Sequence, residues 1–192
     1  MAKKYHQVNP KVPKEVLFGL IGVLVIIVGL FLLTLRSNEE KIFDAYAVTD
    51  ATITENHPFY EVTYEGNLFN DGIQDILAKE RFVILYIGSP LCSYCVQTIG
   101  HVESYFNQEG FGDIVDQVYY YQDFVGEDAS SDREAMLADF PTIERTTPQI
   151  IAFLDGEIFL EYTAPENENY AGAVSWFFED LMDALEDTDY LG

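Results

Sequence analysis

Phe82-Val83-Ile84-Leu85-Tyr86-Ile87-Gly88-Ser89-Pro90-Leu91-Cys92-Ser93-Tyr94-Cys95 is the stretch that decides how this chain is read. Phe82 to Ile87 is a continuous apolar run, as expected of a strand covered on both faces. Cys92 and Cys95, the only two cysteines, follow it and open a helical pattern. A Cys-x-x-Cys at a strand-to-helix junction is where thiol–disulfide exchange chemistry is housed. The first cysteine sits at the helix N-terminus, where backbone N–H groups and the macrodipole favour a thiolate. The second lies within reach to resolve a mixed disulfide.

Two other readings of the pair compete. Zinc needs about four Cys, His or carboxylate ligands in tetrahedral array. There is no second Cys-x-x-Cys, and His6, His57 and His101 are scattered, so no metal is expected. A purely structural disulfide would close a very short loop, and stabilisation grows with loop length, so it would be a poor staple.

Working outward to the N-terminus, Val16 to Leu35 carries no charge. As a helix this run would be about 30 Å long, the thickness of a bilayer's hydrocarbon core. No small-residue cleavage site follows it, which favours an uncleaved signal anchor over a removed signal peptide. Lys3, Lys4, Lys11 and Lys14 precede the run, against Arg36 and Lys41 after it. The cationic arm belongs on the cytoplasmic side, which leaves the rest of the chain outside the cytoplasm, where disulfides persist. The expected organisation is a cytoplasmic arm (1–15), a transmembrane helix in the lipid bilayer (16–35), a linker or lead-in (36–58), a folded domain (59–188) and a tail (189–192).

Charge is segregated. Of 33 acidic residues only Glu15 precedes residue 36, while four of the ten basic residues do, so the remainder carries a formal charge of −26. Most of that is a solvated surface. It argues against nucleic acid as a partner and for attraction of cationic substrates. Asp123, Glu127, Asp128 and Asp132 do not fit an EF-hand spacing.

The folded part alternates in type. Phe59–Thr63, Phe82–Ile87 and Val115–Tyr121 read as strands. Phe69–Lys79, Cys92–Asn107 and Arg133–Phe140 read as helices. Gln149–Leu154 and Ile158–Tyr162 are strands joined by an Asp155-Gly156 hairpin signal, and Tyr170–Glu186 is a closing amphipathic helix. The order β-α-β-α-β-α-β-β-α implies an α/β sheet with parallel central strands and a closing hairpin. Cys92 then falls at the carboxyl end of a central strand, where open α/β sheets place their sites.

Over residues 59–188 the chain resembles the thioredoxin-fold superfamily. Three segments carry the resemblance: FVILYIGSPLCSYC, Thr147-Pro148, and the QIIAFLDGEIFLEY that follows. It implies that Cys92 attacks and Cys95 resolves. It also implies that Pro148 is a cis-proline beside the pair, and that Thr147 offers backbone hydrogen bonds to a substrate peptide. Ser93 and Tyr94 stand where thioredoxins have Gly-Pro, and Leu91 stands in place of Trp. Tyr86 occupies the position of their buried Asp. Cys-Ser-Tyr-Cys also resembles a glutaredoxin site, but no Gly-Gly-x-Asp glutathione signature follows Pro148. Within the superfamily the chain is most similar to membrane-anchored, bacteriocin-accessory-type proteins, which are implied to assist disulfide formation in small secreted peptides.

The function expected is a membrane-tethered protein disulfide oxidoreductase. It would act on exported protein or peptide thiols and disulfides, use no cofactor, and be recycled by a membrane redox partner. The residues do not fix its redox direction. Two alternatives are open: a non-catalytic adaptor or chaperone of the same fold for secreted peptides, and a subunit docked to a membrane complex through its span. Gly19, Gly22 and Gly29 form no G-x-x-x-G pair, so helix packing there is only weakly suggested.

Overall fold

β2 (Phe82–Gly88) organises the domain, and every residue in it is buried. The computed structural model describes residues 13–33, 37–68, 70–123, 131–162, 164–165 and 169–191. Strand side chains alternate between faces, so the apolar run divides in two. Phe82, Ile84 and Tyr86 enter one hydrophobic cluster, and Val83, Leu85 and Ile87 enter the other. That double covering is why the run shows no polar alternation.

The element order is α1 (Lys14–Leu33), α2 (Asn38–Ala47), β1 (Phe59–Val62), α3 (Ile73–Lys79), β2, α4 (Ser93–Gln108), β3 (Val118–Gln122), α5 (Ser131–Asp139), β4 (Gln149–Leu154), β5 (Glu157–Glu161) and α6 (Tyr170–Glu186). Five strands form one sheet in the order β1-β3-β2-β4-β5. β3 pairs parallel with β1 and β2, while β4 pairs antiparallel with β2 and β5. From β1 onward this is the β-α-β-α-β-α-β-β-α order expected from the sequence. Residues of α2, α4 and α6 share the first cluster; those of α3 and α5 share the second. The Asp155-Gly156 turn has both residues at positive φ, 51° and 84°, the conformation a two-residue hairpin demands.

Several boundaries differ from the sequence expectation. α3 starts at Ile73, with the Gly72 N–H donating to the Asp75 carboxylate at 3.2 Å; Phe69 lies outside the described residues. β3 starts at Val118 because Phe111–Asp113 forms a 3-10 turn, and Ile114 and Val115 pack on the first cluster without joining the ladder.

The larger difference is α2, inside the stretch read as linker or lead-in. Ile42 and Tyr46, four residues apart and so on one helix face, are buried in the first cluster. The buried His57 ring joins this helix to β1. Its Nδ1 accepts from the Phe59 N–H at 3.1 Å, which leaves Nε2 to donate to the Glu39 carbonyl at 3.0 Å.

By contact the chain forms two units, residues 1–37 and 38–192. In the first, the described side chains of α1 are Val16 and residues 18–28, all exposed. Among the described residues no helix is long and apolar enough to cross a membrane. Residues 1–12 and 34–36, covering most of the expected cytoplasmic arm and the end of the expected span, lie outside the description.

Candidate active site

β2 ends at Gly88, and the buried Ser89 turns the chain into α4. The Ser89 carbonyl accepts from the Cys92 N–H at 3.1 Å, and its hydroxyl accepts from the Leu91 N–H at 3.2 Å. Cys92 is thereby set as the N-cap of α4, half-exposed, with its sulfur accepting the Cys95 N–H at 3.3 Å. A sulfur thus stands in for the oxygen that usually caps a helix. Cys95, one turn in, is fully buried. Both are free thiols.

The loop before β4 closes over Cys92. The Thr147–Pro148 peptide bond is cis and Pro148 is buried. The Thr147 hydroxyl donates to the Cys92 sulfur at 3.5 Å, and the Thr147 carbonyl lies 3.7 Å from that sulfur, within reach of its S–H. Two donors, one backbone and one hydroxyl, converge on the sulfur that faces solvent. Side chains beneath hold this loop. Buried Arg133 donates to the Glu144 carbonyl at 2.6 Å and pairs with Asp123 at 3.3 Å, while Gln149 Nε2 reaches the same carbonyl at 2.7 Å. Burial lowers the Arg133 pKa, and the Asp123 charge only partly opposes it.

Beneath Cys95 lies a layer of tyrosines. The Tyr86 hydroxyl donates to the Cys95 carbonyl at 3.2 Å, and the Tyr120 hydroxyl donates to the Gly88 carbonyl at 3.2 Å. The Tyr46 and Tyr120 hydroxyls share a 3.3 Å hydrogen bond. Tyr86 and Tyr120 stack at 5.9 Å. Burial raises the pKa of all three phenols well above the usual value, so they remain neutral donors. Burial, and next its hydrogen bond with Cys92, pushes the Cys95 thiol up to about 12. At neutral pH Cys95 is therefore a thiol, and the accessible sulfur belongs to Cys92.

The sequence-predicted residues divide accordingly. Cys92, Cys95 and Thr147 meet through direct contacts, and cis Pro148 follows Thr147 in the same loop. Tyr94 is half-exposed and turns to the Tyr170 ring, 5.7 Å away, instead of to the sulfurs. Ser93 is exposed, and its carbonyl accepts from Gln97. The sequence reading missed Tyr46, Tyr120 and Arg133; Tyr46 sat in a stretch assigned no element. Among the described residues no group of His, Cys, Asp and Glu is placed to hold a metal.

No family model matches the chain, and no curated protein matches it in sequence. It is similar in structure to thioredoxin from Trypanosoma brucei brucei, at 12% identity and TM-score 0.46, over 70% of this chain and 98% of that one. It is similar also to a mutant thioredoxin from Halobacterium salinarum, at 14% identity and TM-score 0.37, over 64% and 94% of the two chains. A third likeness is to a complex of ferredoxin:thioredoxin reductase and thioredoxin f2, at 20% identity and TM-score 0.38, over 67% of this chain and 93% of the matched chain. These likenesses are remote, and the chemistry of the site is read from its own geometry.

Proposed function

We propose that this protein is a membrane-tethered thiol–disulfide oxidoreductase acting on exported proteins or peptides. The observation that carries the reading is the asymmetry of the pair: a half-exposed Cys92 sulfur with two donors on it, above a buried Cys95 thiol. In the reducing direction the Cys92 thiolate attacks a client disulfide. One Cys92–client S–S bond forms, and one client thiolate leaves. Cys95 then loses its proton and attacks the Cys92 sulfur, which closes the Cys92–Cys95 disulfide and releases the second client thiolate. Two electrons and two protons pass from the dithiol to the client. The same steps in reverse oxidise a client dithiol, and a membrane redox partner restores the starting state.

The Thr147–Pro148 edge would hold the client. Thr147 supplies backbone hydrogen bonds to an extended peptide, as strand addition does, while Ser93 and Tyr94 border the approach. The resemblance to bacteriocin-accessory-type proteins supports small secreted peptides as clients. The tether rests on the uncharged run 16–35 and on the lysines before it, which set the N-terminus in the cytoplasm.

Trapping tests the reading. In membranes expressing the Cys95→Ala chain, Cys92 should hold clients as mixed disulfides that reductant releases. Their absence, or full function of a Cys92→Ser, Cys95→Ser chain, would support the adaptor instead.

A further inference from the structure

Gly88, the last residue of β2, opens the turn to Cys92, and its carbonyl takes two donors. These are the Tyr120 hydroxyl at 3.2 Å and the Asp123 N–H at 3.0 Å. Asp123 follows directly on β3, and its carboxylate pairs with Arg133 in the first turn of α5, Nε lying 3.3 Å from the oxygen. Arg133 Nη2 donates at 2.6 Å to the Glu144 carbonyl, in the loop that leads to Thr147. Gln149, just past Pro148, donates to the same carbonyl at 2.7 Å and to the Thr146 hydroxyl at 3.3 Å. The Cys92 turn and the cis-proline loop are therefore joined twice. One join is at the sulfur, through Thr147. The other runs from Gly88 through Asp123 and Arg133 to Glu144.

Stability is a poor reason for this pair. The Arg133 side chain is 2% exposed and that of Asp123 13%. Burial lowers the Arg133 pKa and raises that of Asp123, in each case against the attraction of the partner. The hydration lost outweighs the attraction gained, and apolar side chains of similar volume commonly replace such a pair without loss of stability. What apolar side chains cannot do is hold two acceptors at a fixed separation. A guanidinium can: its planar fork presents Nε to Asp123 and Nη2 to the Glu144 carbonyl at once, whereas an ammonium is a single point.

We propose that Arg133 and Asp123 are positioning residues that fix the Thr147 backbone over Cys92, where a polypeptide held through its cysteine pairs with it. The proposal deepens the redox reading and rests on it for the identity of the occupant. Both residues act through the loop. Asp123 ties Arg133 to the end of β2, and Arg133 ties down Glu144, so the gap between the Cys92 sulfur and Thr147 is set from both sides.

The test reads backbone pairing without requiring turnover. In the full-length Cys95→Ala chain in detergent, Cys92 is first converted to its mixed disulfide with N-acetylcysteine amide. It is then equilibrated with an alanine pentapeptide carrying one central cysteine and blocked at both ends. One S–S bond to the peptide forms, the S–S bond to the amide breaks, and the released thiol takes up the proton that the peptide thiol gave up. The ratio of the two adducts, read by mass, reports the contacts of the added backbone. The pentapeptide should be favoured about tenfold, the effect of one or two backbone hydrogen bonds. Arg133→Met with Asp123→Leu should bring the ratio near one at an unchanged melting temperature. Arg133→Lys keeps a cation beside Asp123 and the fold with it, but cannot serve both acceptors, and should leave a preference of about threefold. A tenfold preference surviving in both variants would overturn the positioning role, as would a ratio near one in the Cys95→Ala chain itself. A preference that falls only where the melting temperature falls with it would overturn it too, by assigning the pair to stability. The redox reading is checked apart, on the chain with both cysteines. Failure of that chain to exchange with neutral 2-hydroxyethyl disulfide would overturn the redox reading alone and leave the adduct ratios standing.

Discussion

The two sides of the dithiol are built from opposite materials. Below Cys95 the protein is closed and neutral: Tyr46, Tyr86 and Tyr120 are buried, and they satisfy one another and the carbonyls of Gly88 and Cys95. Around Cys92 it is open and charged, with Leu91 81% exposed, Tyr94 50% exposed, and Glu144 and Glu161 lining a cleft that Pro148 borders. Burial, and next the hydrogen bond with Cys92, keep the Cys95 sulfur a thiol at neutral pH. On the proposed reading, an open rim leaves the Cys92 sulfur within reach of a client. The two sides can therefore be probed separately by mutation.

The largest effect should separate the two sulfurs. Cys92→Ser should reduce exchange with a model disulfide by at least about a thousandfold, as loss of a nucleophile does. Cys95→Ala should leave the first attack and stop the reaction at the mixed disulfide. Stopped-flow kinetics with mass spectrometry of the product distinguishes the two. If Cys95→Ala also abolished the first attack, the division of roles would fail.

The floor is tested next. Tyr46→Ala empties a fully buried ring site and should cost about 3–5 kcal/mol of stability, whereas Tyr46→Phe removes one hydroxyl and should cost about 1 kcal/mol. Denaturant midpoints at unchanged slope measure both. Nearly equal losses would mean that α2 is held by its hydroxyl contact and not by packing.

Alkaline pH separates the sides in another way. The Cys95 thiol is raised from 9.0 to about 12 in the folded chain. Its stabilising contribution is therefore fully present below about pH 9 and is lost as pH rises toward about 12. The reduced protein should accordingly lose thermal stability across that window, and a Cys95→Ala chain should lose less. In the same window the closing step, which needs the Cys95 thiolate, should accelerate about tenfold per pH unit. The smallest effect expected is that of Arg145→Ala. It breaks an exposed pair with Glu134, and exposed pairs contribute little, so the melting temperature should not move measurably.

The parts of this architecture that are legible in sequence are those with a local signature. Phe82–Gly88 declares a doubly covered strand by its composition. Cys92 and Cys95 declare themselves by spacing, and Asp155-Gly156 by its turn chemistry. The resemblance implies that Pro148 is a cis-proline, and the Thr147–Pro148 bond is cis. α2 was not legible because ten residues with an acidic first turn hold only two fully buried positions, and their partners lie far along the chain. Tyr120 is 74 residues from Tyr46. The same holds for the cleft: Glu144 and Glu161 read as dispersed surface charge, and only the return of β5 beside β4 gathers them. Tyr94 is adjacent to the cysteines in sequence, yet its ring is taken by Tyr170, a partner that no local pattern announces.

The central claim is that Cys92 and Cys95 form one reversible dithiol–disulfide couple. Its most direct test is equilibration of the full-length chain in redox buffers of graded potential, with the thiol state read by alkylation and mass. A single two-electron transition is expected, in which each tenfold change in the dithiol-to-disulfide ratio spans about 30 mV. Cys92→Ser should abolish the transition. A pair that remains in one state across the whole range, or that oxidises only between molecules, would contradict the claim.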